Sequence, residues 1–216
     1  MKNAVFDLDG TIADTLCDLA DAVNYGLEKL GCPVHEYEKY KHMVGDGINK
    51  LCTRALPDDK KAYAEDLHLL FNEYYRKHFL DKTRLYPDMK HTLERLSSEG
   101  TGLAVATNKP QNFAVEIISA LLPDIKFFKI LGGCDERPKK PDPAIIREIL
   151  KDTGSCVNFM IGDSDVDIMT AKNSDIISIG CAWGFRGREE LLRAGADFIA
   201  EKPCDIAEFV LKGESL

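Results

Sequence analysis

Long apolar runs, paired cysteines and an excess of basic residues are all missing from this sequence of 216 residues. No apolar stretch is long enough to cross a bilayer, and Met1-Lys2-Asn3 does not open a signal peptide, so we predict a cytoplasmic protein without a membrane segment. The net charge of −8 comes without a basic stripe, which argues against nucleic-acid binding. The seven cysteines form no Cys-x-x-Cys pair, so neither a zinc site nor a disulfide framework is expected.

The order of helical and strand patterns predicts an α/β fold with a helical insertion. From residue 14 to residue 85, apolar residues recur at helical spacing. After residue 85, short apolar runs such as Leu103–Ala106 and Val157–Ile161 alternate with helical stretches, as is typical of a doubly wound parallel sheet. We therefore predict a core domain of residues 1–13 and 86–216, into which a small helical domain of residues 14–85 is inserted. No coiled coil or apolar stripe distinguishes a monomer from a homodimer.

Polar side chains follow three of the predicted strands. Asp7 and Asp9 come after the first strand, Thr107 and Asn108 after another, and Asp163 after a third. Because parallel strands end at one edge of a sheet, these side chains should converge on one crevice. Two adjacent carboxylates repel each other unless a cation, a shared proton or a bound base lies between them, so the pair at the first strand leaves these three explanations open.

The residue types at this edge favour phosphoryl transfer. Oxygen ligands from Asp7, Asp9 and Asp163 suit Mg²⁺. The hydroxyl of Thr107 and the ammonium of Lys140, which precedes a predicted helix, are suited to phosphoryl oxygens. A carboxylate that the metal does not need can attack phosphorus to form an aspartyl phosphate, and another can act as general acid and base.

Four short motifs resemble those of the haloacid dehalogenase-like hydrolase superfamily and occur in the same order. They are Asp7-Leu-Asp-Gly-Thr11, Thr107-Asn108, Lys140-Pro141 and Gly162-Asp-Ser-x-x-Asp167. Ala106-Thr-Asn-Lys-Pro110, the loop Val44-Gly-Asp-Gly47 and Trp183-Gly-Phe-Arg186 further resemble the phosphoglycolate phosphatase group. Asn173-Ser-Asp175 departs from the Ala-Gly that usually follows the fourth motif, which affects packing rather than a catalytic group. The resemblance implies a Rossmann-like core with a helical cap.

The resemblance also implies roles for the residues that match the motifs. Asp7 would be the nucleophile and a Mg²⁺ ligand, and Asp9 would be the general acid and base and bind Mg²⁺ through its carbonyl group. Thr107 and Asn108 would hold the phosphoryl group. Lys140 would neutralise its charge and orient the nucleophile.

Two further groups of residues are expected around this set. Asp163 would be a third metal ligand, while Asp167 and the neighbouring Ser164 would support the ligands, or Asp167 would pair with Lys140. Substrate contacts are expected mainly from the inserted segment, although Lys50 and Arg54 also fit a solvated helix face. The candidates are Thr11, Gly45, Asp46, Gly47, Lys50 and Arg54.

The resulting prediction is a Mg²⁺-dependent phosphomonoesterase for a small phosphorylated substrate, with 2-phosphoglycolate as the first candidate. Within the same chemistry, an inorganic pyrophosphatase, a sugar phosphatase and a phosphomutase are the alternatives. A receiver-type module that accepts phosphate on an aspartate is a more distant one. Asp9 argues against the receiver, because a carboxylate two residues beyond the nucleophile permits rapid turnover.

Overall fold

A computed structural model describes residues 1–212 of the chain. Its strands are β1 (Lys2–Phe6), β2 (Ala13–Asp14), β3 (Arg84–Leu85), β4 (Gly102–Pro110), β5 (Lys129–Gly133), β6 (Val157–Gly162), β7 (Ile177–Cys181) and β8 (Phe198–Ala200). Its α-helices are α1 (Leu16–Lys29), α2 (Tyr37–Tyr40), α3 (Ile48–Ala55), α4 (Ala64–His78), α5 (Met89–Ser98), α6 (Gln111–Leu121), α7 (Ala144–Leu150), α8 (Asp165–Asn173), α9 (Arg188–Ala194) and α10 (Pro203–Lys212).

Six of the strands form one parallel sheet in the order β5-β4-β1-β6-β7-β8. β1 lies in the middle, and Ala4, Val5 and Phe6 are fully buried, as expected for a strand that is covered on both faces. Phe6 is in register with Val105 of β4 and Ile161 of β6. The chain therefore leaves three neighbouring strands at the same edge of the sheet.

Helices cover both faces of this sheet. On one face, apolar residues of α5, α6 and α10 pack against the strands, and on the other face residues of α7 and α8 do so. The predicted doubly wound α/β fold is confirmed. None of the helices within residues 1–212 combines the length and the apolar character that a membrane span requires.

The helices between β2 and β3 have a hydrophobic cluster of their own. Leu19, Leu27, Leu51 and Phe71 belong to this cluster, and Phe113 of α6 packs into it from the sheet side. The segment is joined to the sheet by a small antiparallel ribbon in which β2 pairs with β3. Sequence periodicity did not predict this ribbon, because two-residue strands are too short to show alternation.

Several element boundaries differ from those predicted. β4 runs on to Pro110, so Thr107 and Asn108 lie within an irregular end of the strand rather than after it. Within the stretch of helical spacing from residue 14 to residue 85, the segment Asp58–Tyr63 is a 3₁₀ helix that leads directly into α4. The short helices α2 and α9 and the helix α10 were not predicted.

Candidate active site

The loop after β1 brings Asp7 and Asp163 together. The backbone N–H of Asp7 donates to the carbonyl of Ile161 (2.8 Å), which ties the end of β1 to β6. Gly10 has a φ of 82°, and a β-carbon there would collide with the Asp163 carboxylate. Glycine is therefore required at this turn for two reasons, its left-handed backbone and the close approach of Asp163.

Lys140 is a buried ammonium between two carboxylates. Its Nζ lies 2.7 Å from Asp167 Oδ1 and 2.9 Å from Asp7 Oδ1, and it donates to the carbonyl of Ala106 (2.9 Å). Burial works against its charge, but the charges of Asp167 and Asp7 raise the pKa of Lys140 above its ordinary value. The side chain is thus held as a cation beside Asp7.

Three buried carboxylates, those of Asp7, Asp163 and Asp167, each place an oxygen within 4.8 Å of the others. Burial raises the pKa of Asp7 to about 6, and the charges of Asp167 and Asp9 add to the effect while Lys140 opposes it. Burial, together with Asp167 and Asp7, also raises the pKa of Asp163 well above its usual range. The single positive charge of Lys140 does not balance the negative charge of three carboxylates, and a divalent cation would stabilise them.

The surroundings of the Asp7 carboxylate support the same interpretation. Lys140 Nζ lies 2.9 Å from Asp7 Oδ1, and within residues 1–212 this buried oxygen has no other partner. A hard cation prefers such oxygen atoms as ligands. The donor set of this structure therefore fits the Mg²⁺ that the sequence predicts.

Asp167 is anchored from two sides at the start of α8. Its Oδ2 accepts hydrogen bonds from the hydroxyl (2.7 Å) and the backbone N–H (3.2 Å) of Ser164, and its Oδ1 faces Lys140. This is a capping box, which fixes the first turn of the helix. Asp167 is therefore engaged by Ser164 and Lys140, whereas Asp163 accepts one backbone hydrogen bond, from Phe185 (2.7 Å).

Asp9 is held by two donors on the other side of the loop. Its Oδ1 accepts hydrogen bonds from the hydroxyl of Thr15 (2.7 Å) and from Lys109 Nζ (2.9 Å). Burial opposes the charge of Lys109, but the Asp9 carboxylate raises the pKa of the ammonium above its ordinary value. Its Nζ also lies 5.0 Å from the centre of the Tyr75 ring.

Asn108 uses both ends of its amide group. Its Oδ1 accepts from the backbone N–H of Lys140 (2.9 Å), and its Nδ2 donates to the carbonyls of Gly45 (3.0 Å) and Lys140 (3.3 Å). The side chain therefore positions Lys140 and the loop Val44–Gly47 in this structure. Thr107 is buried beside it, and its hydroxyl accepts from the backbone N–H of Lys109 (3.2 Å).

A cavity separates the edge of the sheet from the helical segment. Its polar wall contains Asp7, Asp9, Tyr75 and the β4 residues 107–109, and most of the remaining wall is apolar. Gly45 and Gly47 line it, as do the side chains Leu19, Val44, Ile48, Leu51 and Pro110. The cavity is therefore a small, mostly apolar space with polar groups at the strand ends, closed on one side by the loop Val44–Gly47.

The other predicted substrate residues do not line this cavity. Arg54 forms an ion pair with Asp46, and Lys50, whose side chain is 65% exposed, approaches the same carboxylate to 3.4 Å. Partial burial opposes the effect of these cations, yet they lower the pKa of Asp46. Thr11 is fully buried, and its carbonyl accepts a hydrogen bond from Trp183 Nε1 (3.2 Å).

Residues 4–181 match the haloacid dehalogenase-like hydrolase family. The chain belongs to this family. It is 33% identical to a phosphoglycolate phosphatase from Vibrio parahaemolyticus, over 97% of this chain and 96% of that protein. It is 38% identical to a phosphoglycolate phosphatase from Neisseria meningitidis, over 86% and 82% of the two chains. The crystal structure of a protein from Lactobacillus delbrueckii subsp. bulgaricus superposes on this structure with a TM-score of 0.90 at 30% sequence identity. The match covers 96% of this chain and 97% of that protein. The family predicted from the four motifs is confirmed.

Lys109, at the site of this haloacid dehalogenase-like hydrolase, was not assigned a role from the sequence. Lys109 lies inside the stretch Ala106–Pro110, which was used only as a sign of the subgroup. The structure buries it to 4% exposure and directs it to Asp9, 100 residues away along the chain. A lysine within a strand that is otherwise buried was the available signal, because such a charge needs a partner.

Proposed function

We propose that this protein is a Mg²⁺-dependent phosphomonoesterase that hydrolyses 2-phosphoglycolate through an aspartyl-phosphate intermediate. The observation that carries the proposal is the position of Asp7, whose carboxylate lies at the cavity wall beside the Lys140 ammonium and within the carboxylate cluster. The phosphoglycolate phosphatases of Vibrio and Neisseria described above support the choice of substrate.

In this proposal Asp7, Asp163 and the backbone carbonyl of Asp9 hold Mg²⁺. The ion would offset the charge of the carboxylates and polarise the phosphoryl oxygens. Lys140 keeps Asp7 oriented and adds a second positive charge near the phosphoryl group. Asp167 contributes by positioning Lys140 and Ser164, both of which donate hydrogen bonds to its carboxylate.

The two chemical steps use two carboxylates. Asp7 attacks phosphorus, the bond from phosphorus to the ester oxygen breaks, and Asp9 gives that oxygen its proton. Asp9 then takes a proton from a water molecule, which attacks the aspartyl phosphate, releases inorganic phosphate and restores Asp7. Thr15 and Lys109 hold Asp9 in place through the hydrogen bonds to its Oδ1.

The helical segment of residues 14–85 acts as the cap domain in this proposal. The loop Val44–Gly47 covers the cavity, where Gly45 is held by Asn108 and the carbonyl of Val44 accepts from Arg186 Nη2 (3.1 Å). A cap over the site keeps bulk water from the aspartyl phosphate and contacts the leaving group. We further propose that the enzyme is cytoplasmic and is a monomer or a homodimer.

Phosphate release in the presence of Mg²⁺ tests this function. The substrates are 2-phosphoglycolate, pyrophosphate, hexose phosphates and nucleotides, with Asp7→Asn as the control. We expect kcat/KM to be highest for 2-phosphoglycolate and release to be absent in Asp7→Asn. A preference for pyrophosphate or a sugar phosphate would keep the chemistry and replace the substrate, whereas release that does not depend on Asp7 would contradict the mechanism.

A further inference from the structure

The buried pair formed by Lys109 and Tyr75 stands out because its polar groups are incompletely used. Within residues 1–212, Lys109 Nζ donates a hydrogen bond to Asp9 and also faces Tyr75, whose ring centre is 5.0 Å away. Tyr75 is fully buried on α4, and its hydroxyl has no well-aligned hydrogen-bond partner in that part of the chain. Even if the ammonium, which has three hydrogens, also donates to the phenol oxygen, one ammonium hydrogen and the phenol hydrogen are left for a further acceptor.

Both residues line the cavity beside the strand ends. The remaining wall near them is apolar, with Leu19, Ile48 and Leu51 facing the same space. Burial raises the pKa of Tyr75 to about 12, although Lys109 opposes the effect, so the phenol keeps its proton and can donate it in a hydrogen bond. One ammonium and one phenol, which lie beside Asp9 and face the apolar side of the cavity, match a single small anion.

The position of this pair relative to Asp9 defines which part of a substrate it meets. In the proposed function Asp9 protonates the ester oxygen, so the leaving group lies at Asp9. Lys109 Nζ is 2.9 Å from Asp9 Oδ1 and therefore lies beside the leaving group rather than the phosphoryl group. A substituent held there must be separated from the ester oxygen by a short chain.

We propose that Lys109 and Tyr75 form the subsite that binds the carboxylate of a short phosphorylated 2-hydroxy acid and so determine substrate specificity. This inference rests on the proposed function and deepens it. It assigns this contact to Lys109 and Tyr75 rather than to Lys50 and Arg54, the cations that the sequence offers as substrate contacts, because Arg54 already pairs with Asp46 and Lys50 lies largely in solvent.

The test compares kcat/KM for 2-phosphoglycolate with kcat/KM for ethyl phosphate, in which a methyl group replaces the carboxylate. Taking the ratio of the two cancels any effect of a substitution on the chemistry common to both esters. We expect Tyr75→Phe to lower the ratio about tenfold or more, since a hydrogen bond to a charged group is lost. Lys109→Met should lower it further, because it removes the charge.

Two matched controls lie on the same helix. Tyr74→Phe also removes a phenol hydroxyl, but Tyr74 packs against Tyr25, stacks on His78 and does not line the cavity. Lys77→Met removes a charge from an exposed position. Both controls should keep the wild-type ratio, and thermal unfolding should show that all four variants fold.

An unchanged ratio in Tyr75→Phe and Lys109→Met would overturn the subsite while leaving the phosphatase function intact. If instead the wild-type protein releases no more phosphate from either ester than Asp7→Asn does, the proposed function fails. Calorimetric binding of 2-phosphoglycolate still decides the subsite in that case. Equal affinity in the wild-type protein and Tyr75→Phe would then overturn it, and an affinity about tenfold weaker would support it.

Discussion

The side-chain amide of Asn108 donates a hydrogen bond to the carbonyl of Gly45, 3.0 Å away. This contact joins the end of a central strand to the loop that covers the cavity. The same side chain accepts from the backbone N–H of Lys140 (2.9 Å), so one amide group connects the loop, the strand and the buried lysine. Asn108 therefore couples the position of the loop Val44–Gly47 to that of Lys140.

Exchange of Asn108 for aspartate should be more harmful than exchange for alanine. A carboxylate would turn the donor of Asn108 into an acceptor that faces the carbonyls of Gly45 and Lys140. Alanine only removes the hydrogen bonds. Urea unfolding should show a loss of about 1 to 3 kcal/mol for Asn108→Ala and a greater loss for Asn108→Asp. Equal losses would contradict the direction of the hydrogen bonds in this structure.

Asp7→Asn should abolish turnover and yet stabilise the protein in the absence of metal. In the folded protein the pKa of Asp7 is raised to about 6, above its ordinary value of 3.8. The folded state therefore binds this proton more tightly than the unfolded chain does, and it loses stability as the pH rises from about 4 to about 6. Above that range the penalty is complete, and a neutral amide removes it.

Urea unfolding with EDTA at pH 7.5 and pH 4.5 measures this effect. We expect the free energy of unfolding of Asp7→Asn to exceed that of the wild-type protein by about 1 to 3 kcal/mol at pH 7.5 and by less at pH 4.5. A loss of stability at pH 7.5 would show that the attraction between Asp7 and Lys140 outweighs the cost of burying the charge.

The sheet and the cluster of polar side chains at its edge were predictable because they depend on short-range patterns. An apolar run that ends in Asp7 or Asp163 identifies a buried strand and the chemistry at its end at the same time. Parallel strands then bring both residues to one edge without further information. The helical segment was likewise evident from the recurrence of apolar residues at helical spacing.

The partners of the cations were not predictable, since they depend on contacts between distant segments. Arg54 looked available for a substrate, but it turns back to Asp46 within its own segment. Lys109 looked like an ordinary member of a motif, but the packing of α4 against the strand end places it between Tyr75 and Asp9. Neither pairing leaves a periodic signal in the sequence.

Asp163→Asn should weaken Mg²⁺ binding by at least about tenfold, because loss of a direct ligand costs no less than loss of a residue that only orients one. The fold should persist, since the asparagine Oδ1 can still accept from the N–H of Phe185. Phosphate release at rising Mg²⁺ concentration measures the shift, and high Mg²⁺ should restore part of the activity. Asp165→Asn, at an exposed position two residues away, is the control. No shift in Asp163→Asn would remove Asp163 from the metal ligands.

Asp18 lies at the connection between the helical segment and the sheet. The side chain is only 2% exposed, and its carboxylate accepts from the backbone N–H groups of Thr83 (2.8 Å) and Lys82 (3.0 and 3.1 Å). It thereby links α1 to the backbone immediately before β3. The chain passes between the sheet and the helical segment twice, at β2 and at β3, and we call these two passages the crossing. The pairing of β2 with β3 and the hydrogen bonds to Asp18 hold the two passages together.

Asp18→Asn should lower the free energy of unfolding by about 1 to 3 kcal/mol, because the new amide donor faces backbone N–H groups that need an acceptor. Asp21→Asn is the matched control. Within residues 1–212 its carboxylate accepts hydrogen bonds only from side chains near the surface, Lys82 Nζ at 2.6 Å and the Tyr37 hydroxyl at 2.7 Å, so its loss should cost about 1 kcal/mol or less. If the two variants lose equal stability in urea, the backbone contacts of Asp18 do not hold the crossing. If Asp18→Asn alone also raises KM for a phosphate ester while kcat changes little, the crossing positions the loop over the cavity as well as stabilising the fold.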